Sequence, residues 1–303
     1  MRRLTLPVAP PDAGERIDRF IAARGGISRG EARRALDAGS VFLDGRRCKV
    51  AGRLVRAGQQ VVVNLEEGGR AAAAPAALAR GRLLYADAEL VAVDKPAGVP
   101  AQPTLTTDRG TLPELVGALL GSPVTIVHRL DRETSGVTVL ARTKAAAAAL
   151  AEAFRSGTPE KTYLALCARS PTPPEGRVDA PLGKDPARAG LRRVDPRGDA
   201  AATRYRTLRA EASAALVEAR PETGRTHQIR VHLAHLGAPL LGDARYGGPR
   251  RVGEVAIPRV MLHARRLELP HPATGAQLVL EAPVPEDFAA VERALLGAAP
   301  APP

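Results

Sequence analysis

Two short segments carry the residue types that could do chemistry. The first is Val127-His128-Arg129-Leu130-Asp131-Arg132-Glu133-Thr134-Ser135-Gly136, a dense polar stretch between apolar ones. A carboxylate such as Asp131, set between Arg129 and Arg132, is stabilised as the anion, which suits a nucleophile better than a proton donor. An aspartate in a loop also serves as an ordinary turn or capping residue, so this segment alone leaves both readings open. The second is Thr223-Gly224-Arg225-Thr226-His227-Gln228-Ile229-Arg230-Val231-His232-Leu233. A glycine turn there brings Arg225 to the mouth of a helix capped by Thr226, where a guanidinium and helix-end dipoles together attract an anion. That anion is a phosphate or the Asp131 carboxylate, since a guanidinium fork fits either. His227, His232 and His235 invite a metal reading, but on a helix the first two lie about 140° apart and no cysteine or acid joins them. No metal site is expected.

These segments need a scaffold. From Leu83 onward the chain shows many short alternating stretches, among them Leu90-Val91-Ala92-Val93, Thr125-Ile126-Val127 and Val137-Thr138-Val139-Leu140. Helical spacing is confined to Lys144–Phe154 and to about Thr226–Leu236, which Gly237 ends. This profile predicts an α+β domain over 83–296, built on a largely antiparallel mixed sheet. Residues 14–66 form a separate small α/β unit in the order helix, helix, strand, strand. Ile17, Phe20 and Ile21 recur at helical spacing before Gly25-Gly26, and Ser28-Arg29-Gly30-Glu31 is a capping box that opens a second helix ending at Gly39. Val41-Phe42-Leu43, the turn Asp44-Gly45 and Val61-Val62-Val63 read as strands. Arg29 and Arg33 lie one turn apart beside Arg34, a basic helix face. Residues 67–82 read as a flexible linker and 297–303 as a disordered tail.

Composition bounds what such a two-domain chain can be. Of 303 residues, 45% are hydrophobic, enough for real cores. No apolar run approaches the roughly 18 residues of a membrane span. The start Met1-Arg2-Arg3-Leu4, followed by Pro7, Pro10 and Pro11, does not resemble a secretory leader, so a cytoplasmic protein is expected; separately, a monomer is expected. Cys48 and Cys167 have no CxxC spacing and are expected as buried small hydrophobes, not as a disulfide or zinc knuckle. The net charge is +12, and residues 1–66 hold 13 Lys and Arg against 7 Asp and Glu. A polyanion is the expected partner, nucleic acid first. Neither a P-loop nor a dinucleotide fingerprint is present.

Arg16-Ile17-Asp18, Ile27-Ser28-Arg29 and Gly39-Ser40-Val41-Phe42-Leu43-Asp44-Gly45 resemble the alpha-L RNA-binding domain named after a small-subunit ribosomal protein. The rest of the chain resembles the RluA-type pseudouridine synthases. The likeness runs through Asp94-Lys95-Pro96-Ala97-Gly98, the His128–Gly136 loop, Lys161-Thr162-Tyr163, the Thr223–Leu233 segment, Leu240-Leu241-Gly242-Asp243, Tyr246-Gly247 and Leu262-His263-Ala264. It implies the pseudouridine synthase fold and an enzyme that detaches uracil from ribose, turns it and rejoins it through a ring carbon, with no cofactor and no metal. It assigns Asp131 as catalytic aspartate, Tyr163 as the aromatic stacking on the target base, Arg225 as the salt-bridge partner of Asp131, and Arg129 as a wedge into the space of the flipped nucleotide. Arg29, Arg33, Arg34 and Arg230 are the further expected RNA contacts. Relatives with this N-terminal domain point to large-subunit ribosomal RNA. The sequence departs from the family at Val99-Pro100-Ala101-Gln102-Pro103, where many relatives carry a histidine before the proline, and at Cys167-Ala168-Arg169. The alternatives are a synthase acting on transfer RNA and a noncatalytic RNA-binding or ribosome-assembly factor that keeps the fold. A metal-dependent nuclease would need clustered carboxylates, which the sequence scatters.

Overall fold

The computed structural model describes residues 2–37, 39–65, 77–102, 110–188 and 190–297, in two compact units. The N-terminal unit runs β1 (Arg2–Pro7), α1 (Ile17–Gly25), α2 (Arg29–Asp37), β2 (Val41–Leu43), β3 (Arg46–Arg47) and β4 (Gln60–Leu65). Its sheet order is β1-β4-β2-β3. Strand β1, not expected from the sequence, pairs antiparallel with β4, so the unit begins at Arg2 and not at residue 14. The capping box is formed: Ser28 N donates to Glu31 Oε2 at 2.8 Å, and Glu31 N donates to Ser28 Oγ at 3.2 Å. Ile17, Phe20 and Ile21 of α1 join Ala32, Ala35 and Leu36 of α2 in one core with Val41, Val61 and Val63.

The second unit opens with β5 (Leu83–Ala86), β6 (Leu90–Lys95), α3 (Leu112–Leu120), β7 (Thr125–Ile126), β8 (Ser135–Ala141) and α4 (Lys144–Ser156). It continues through β9 (Glu160–Cys167), β10 (Glu175–Asp179), the hairpin β11 (Leu182–Lys184) and β12 (Arg192–Val194), β13 (Ala202–Glu211), β14 (Ala214–Pro221) and α5 (Gln228–His235). A small hairpin of β15 (Arg251–Val252) and β16 (Val255–Ala256) precedes β17 (Leu262–Pro270), β18 (Gln277–Glu281) and α6 (Glu286–Leu296). The main sheet has the order β10-β13-β14-β9-β17-β8-β6-β5, with β18 on β17 and β7 on β8. All its described pairings are antiparallel except β17 with β8, the α+β mixed sheet that the sequence predicts.

Helices cover both faces of this sheet, so its middle strands read as continuous apolar runs instead of alternating ones. Val137 and Val139 pack towards Ala146 and Leu150 of α4, and Ala165, Val217 and Ala219 pack towards Ile229 and Leu233 of α5. Residues of opposite parity serve the other face: Leu166 and Leu216 meet Phe288 and Val291 of α6, and Leu140, Val91 and Val93 meet Leu112 and Val116 of α3. Helices α3 and α6 were not expected. Leu78 is buried in the α3 core and Arg82 pairs with Asp94 at 2.6 Å, so the unit starts before residue 83 and the linker expected over 67–82 does not extend through these residues. The rest of that expected linker, 67–76, and the tail 298–303 lie outside the described residues. Cys48 and Cys167 are buried and unpaired. Among the described residues no helix is long and apolar enough to cross a membrane.

Candidate active site

The site is built on the sheet face that carries α4 and α5. Register places its parts: Ala264 of β17 stands opposite Gly136 of β8 and opposite Tyr163 of β9. The polar loop joining β7 to β8 therefore ends two strands from Tyr163. Gly136 makes this approach possible. It has φ +114°, and a Cβ there would lie 2.2 Å from the Ala264 carbonyl oxygen, closer than any side chain tolerates. From β14 the chain turns through residues 222–227 into α5, which brings the second segment to the same cavity of about 370 Å³. Asp131, Tyr163, Lys161, His128, His227 and Arg230 all line it.

The loop bearing Asp131 is fastened from behind. Lys95 is fully buried, and its Nζ donates to the carbonyls of Pro96, Val99 and Arg132 at 3.0, 2.9 and 3.1 Å. Burial lowers its pKa to about 7. Arg132 Nε donates to Gly98 O while Gly98 N donates to Arg132 O, a reciprocal clamp between the two loops. Arg259 forks onto Asp287 and reaches Ser135 Oγ and the Glu133 carbonyl. At the loop entrance His128 stacks on Phe154, ring centroids 4.3 Å apart, and its Nε2 accepts the Val139 N–H at 2.9 Å. Burial, with the charge of Lys161, drives its pKa down to about 3, so it is a neutral packing residue.

Neither flanking arginine bonds to Asp131. Arg132 is turned to Gly98, and Arg129, exposed, donates to Thr226 Oγ1 at 2.9 Å. Nor is Arg225 the salt-bridge partner, which corrects the expectation: it is exposed, and its Nε donates to the Ala200 carbonyl at 3.0 Å. The partner is Arg230, whose Nη1 lies 2.9 Å from Asp131 Oδ2. Arg230 is 5% exposed, which corrects its placement among the RNA-binding residues. Asp243 grips it from the other side through Nε at 2.6 Å and Nη2 at 2.9 Å. Although burial works against the charge, Asp243 and then Asp131 hold the guanidinium above its ordinary pKa.

Local backbone explains why position 230 prevails over 225. Thr226 does not cap the helix. His227 does, in the left-handed region at φ +59° and without a side-chain capping bond, and Gln228 starts the helix. Gln228 pins the preceding turn: its Oε1 accepts from Thr223 Oγ1 and Arg225 N, and its Nε2 donates to Ala202 O and Thr203 Oγ1. Helix α5 is buried almost all round, so each polar residue in it must find a partner. His232 does so with Thr203 and the Ala180 carbonyl. Among the described residues no group of three or more His, Cys, Asp and Glu side chains is placed to hold a metal ion.

Tyr163 points into the cavity, and burial, followed by the nearby charge of Asp131, keeps its hydroxyl above the ordinary tyrosine pKa. Lys161 lines the same wall, its pKa lowered by burial, with Nζ 3.4 Å from the Thr223 carbonyl. Residue types alone did not single out Lys161, Asp243 or Tyr246 as parts of the site, and gave His128 and His227 no role beside Asp131. The signal for the first three lay in the short patterns 161–163, 240–243 and 246–247, without roles attached; His128 and His227 lay within the two polar segments themselves. In the N-terminal unit the basic face of α2 is divided. Asp18, fully buried, accepts from Arg16, Arg29 and Arg33 at 3.2, 3.0 and 2.8 Å, while Arg34 is exposed. These bonds prevail over burial and bring the Asp18 pKa down to about 2.

Comparison with known proteins agrees with this architecture. Residues 89–235 match the family model described as RNA pseudouridylate synthase, and residues 15–61 match the S4 domain. An uncharacterized RNA pseudouridine synthase of Chloroflexus aurantiacus is 40% identical over 303 residues, covering 95% of this chain and 92% of that protein. Ribosomal large subunit pseudouridine synthase D of Pseudomonas aeruginosa is 37% identical over 224 residues, 68% of this chain and 69% of that one. Among solved structures, human RNA pseudouridylate synthase domain containing 4 superposes with a TM-score of 0.58 at 32% identity, over 70% of this chain and 92% of its own. With its S4 domain, its mixed sheet and these relatives, the chain belongs to the RNA pseudouridine synthase family, of the RluA type that its motifs resemble.

Proposed function

We propose that this enzyme isomerises uridines in structured large-subunit ribosomal RNA, with Asp131 as the catalytic group acting on the ribose. The observation that carries the reading is the pairing of Asp131 Oδ2 with Arg230 Nη1 at 2.9 Å inside a cavity that Tyr163 also lines. A uridine within folded RNA is out of reach, so it must be extruded, with lost stacking offset by protein groups. Tyr163 is the stacking surface for the uracil. The N1–C1′ bond breaks, the base turns, and a C5–C1′ bond forms as C5 loses its proton and N1 takes one up. Arg129 and Arg225, both exposed at the cavity rim, face the RNA: Arg129 fills the gap left by the extruded nucleotide and Arg225 binds a phosphate. Arg34 of the S4 domain adds a further phosphate contact. The ribosomal target rests on relatives named for the large ribosomal subunit. A monomer in the cytoplasm fits this reading. The test is pseudouridine mapping of ribosomal and transfer RNA, by carbodiimide adducts and reverse-transcription stops, in cells with the gene intact or deleted. A large-subunit stop that vanishes on deletion, and returns with wild type but not with Asp131→Asn, is expected. A lost stop in transfer RNA, or no lost stop at all, refutes the assignment.

A further inference from the structure

We propose that His227 is a positioning residue for Asp131: fixed by Tyr246 as the tautomer with hydrogen on Nε2, it presents that N–H to Asp131 Oδ2 beside Arg230, leaving Oδ1 as the reacting oxygen. The inference rests on the reading of Asp131 as the catalytic group.

The tautomer follows from the hydrogen-bond network. Tyr246 has one hydroxyl proton. Its oxygen already accepts the Arg192 N–H at 2.9 Å, and among the described residues its only acceptor is His227 Nδ1 at 2.7 Å. With Nδ1 as the acceptor that proton is bonded, and the ring hydrogen sits on Nε2. Nε2 lies 3.8 Å from Asp131 Oδ2, just beyond hydrogen-bond range, a gap of the kind that closes when substrate is bound. The ring stays uncharged: burial lowers its pKa to about 4, Asp131 and Asp243 oppose this, and Arg230 and Arg245 reinforce it.

Two independent features show that this placement is built. His227 occupies the left-handed region at φ +59°, a conformation that is unfavourable for a non-glycine residue and persists only where surroundings enforce it. In addition, one tight turn carries both supports of Oδ2. Asp243 grips Arg230, and three residues later Tyr246 holds His227 while its ring lies under the Arg230 guanidinium, 5.0 Å from centroid to Cζ. Gly248 closes that turn where a Cβ would lie 1.7 Å from the Leu240 carbonyl oxygen. Both donors converge on Oδ2, and among the described residues Oδ1 has no hydrogen-bond partner.

The test compares two variants that carry the same backbone strain. His227→Leu removes the donor; His227→Gln keeps an N–H at the same reach. Single-turnover tritium release is measured from unmodified large-subunit ribosomal RNA transcribed with [5-³H]uridine, together with the Kd for that RNA. His227→Leu is expected to slow release about 10- to 100-fold at unchanged Kd. His227→Gln should recover most of the rate, and Tyr246→Phe added to His227→Leu should cost nothing more. Wild-type speed in the leucine variant, a glutamine variant as slow as the leucine one, or a loss confined to Kd overturns the proposal. Tautomer is read separately, by ¹⁵N NMR of histidine in the free enzyme: hydrogen on Nε2 is expected, shifting towards a mixture in Tyr246→Phe, and hydrogen on Nδ1 in the wild type overturns the proposal. A wild-type enzyme that releases no tritium counts against the proposed substrate, and the NMR result then decides the tautomer on its own.

Discussion

Asp243 holds Arg230 with two bonds, Nε at 2.6 Å and Nη2 at 2.9 Å, and so leaves Nη1 for Asp131. All three guanidinium nitrogens are engaged, two on a buried structural carboxylate and one on the carboxylate in the cavity. Asp243 is 1% exposed and depends on Arg230 for its charge balance. Arg230→Ala strands that charge and is expected to destabilise the catalytic unit by about 3–5 kcal/mol, read by urea unfolding. Arg225→Ala, at an exposed site, should leave stability unchanged within about 0.5 kcal/mol and weaken RNA binding instead. Equal stability losses in the two variants would mean that Arg230 is not the buried partner that separates it from Arg225.

Asp131→Asn should eliminate tritium release while the Kd for ribosomal RNA stays at the wild-type value. The amide keeps the size of the side chain and can still accept from Arg230. What it lacks is the negative charge and the basicity that the proposed reaction at the ribose requires. Residual turnover above background in a preparation free of wild-type enzyme would remove Asp131 from the chemistry.

Stability should depend on pH through His128. Its folded pKa of about 3 lies below the ordinary 6.5, so between those values the unfolded chain binds the extra proton. Stability that is complete above pH 6.5 is therefore lost progressively as pH falls towards 3. His227 and His263, each lowered to about 4 chiefly by burial, act in the same direction. His128→Gln can still accept from Val139 N and does not titrate, so its melting temperature should fall less between pH 6.5 and 4. A slope identical to wild type would show that His128 is not buried as the neutral form.

Within the S4 domain, Arg34 and the pair Arg29 and Arg33 should behave differently. Arg34→Ala is expected to weaken RNA binding and reduce the slope of log K against log salt by roughly 0.7 to 0.9, one phosphate contact. Arg29→Ala with Arg33→Ala takes two partners from the buried Asp18 and should lower the melting temperature of this domain as well. Fluorescence anisotropy at several salt concentrations, alongside thermal melts, separates the two effects. An unchanged melting temperature in the double variant would mean that Asp18 does not rely on those arginines.

Gly136→Ala should disrupt the catalytic unit. Its Cβ would fall 2.2 Å from Ala264 O in a backbone conformation that alanine avoids, at the parallel pairing of β8 with β17. A loss of about 3 kcal/mol or more is expected by chemical denaturation. Near wild-type stability would mean that β17 can move aside.

Fold class, the two-unit organisation and the segments that build the site were all legible in the order of the residues. These are local properties: helical spacing at Ile17, Phe20 and Ile21, the reciprocal Ser28 and Glu31 cap, short apolar runs between turns, and polar stretches where apolar residues would otherwise be. Strand β1, α3 and α6 were not legible. Strand β1 ends at a proline and depends on β4 for its pairing, while α3 and α6 close over sheet faces whose existence only the folded chain reveals. Folding in three dimensions also selected which arginine meets Asp131. Arg225 and Arg230 are five positions apart in one motif, and nothing in their spacing says which turns inward. That choice comes from Gln228 pinning the turn, His227 in the left-handed region and Asp243 gripping the buried guanidinium. Asp131 and Arg230 are 99 positions apart, and a contact of that range is fixed by packing and by the cost of leaving a buried charge unpaired, which no local pattern records.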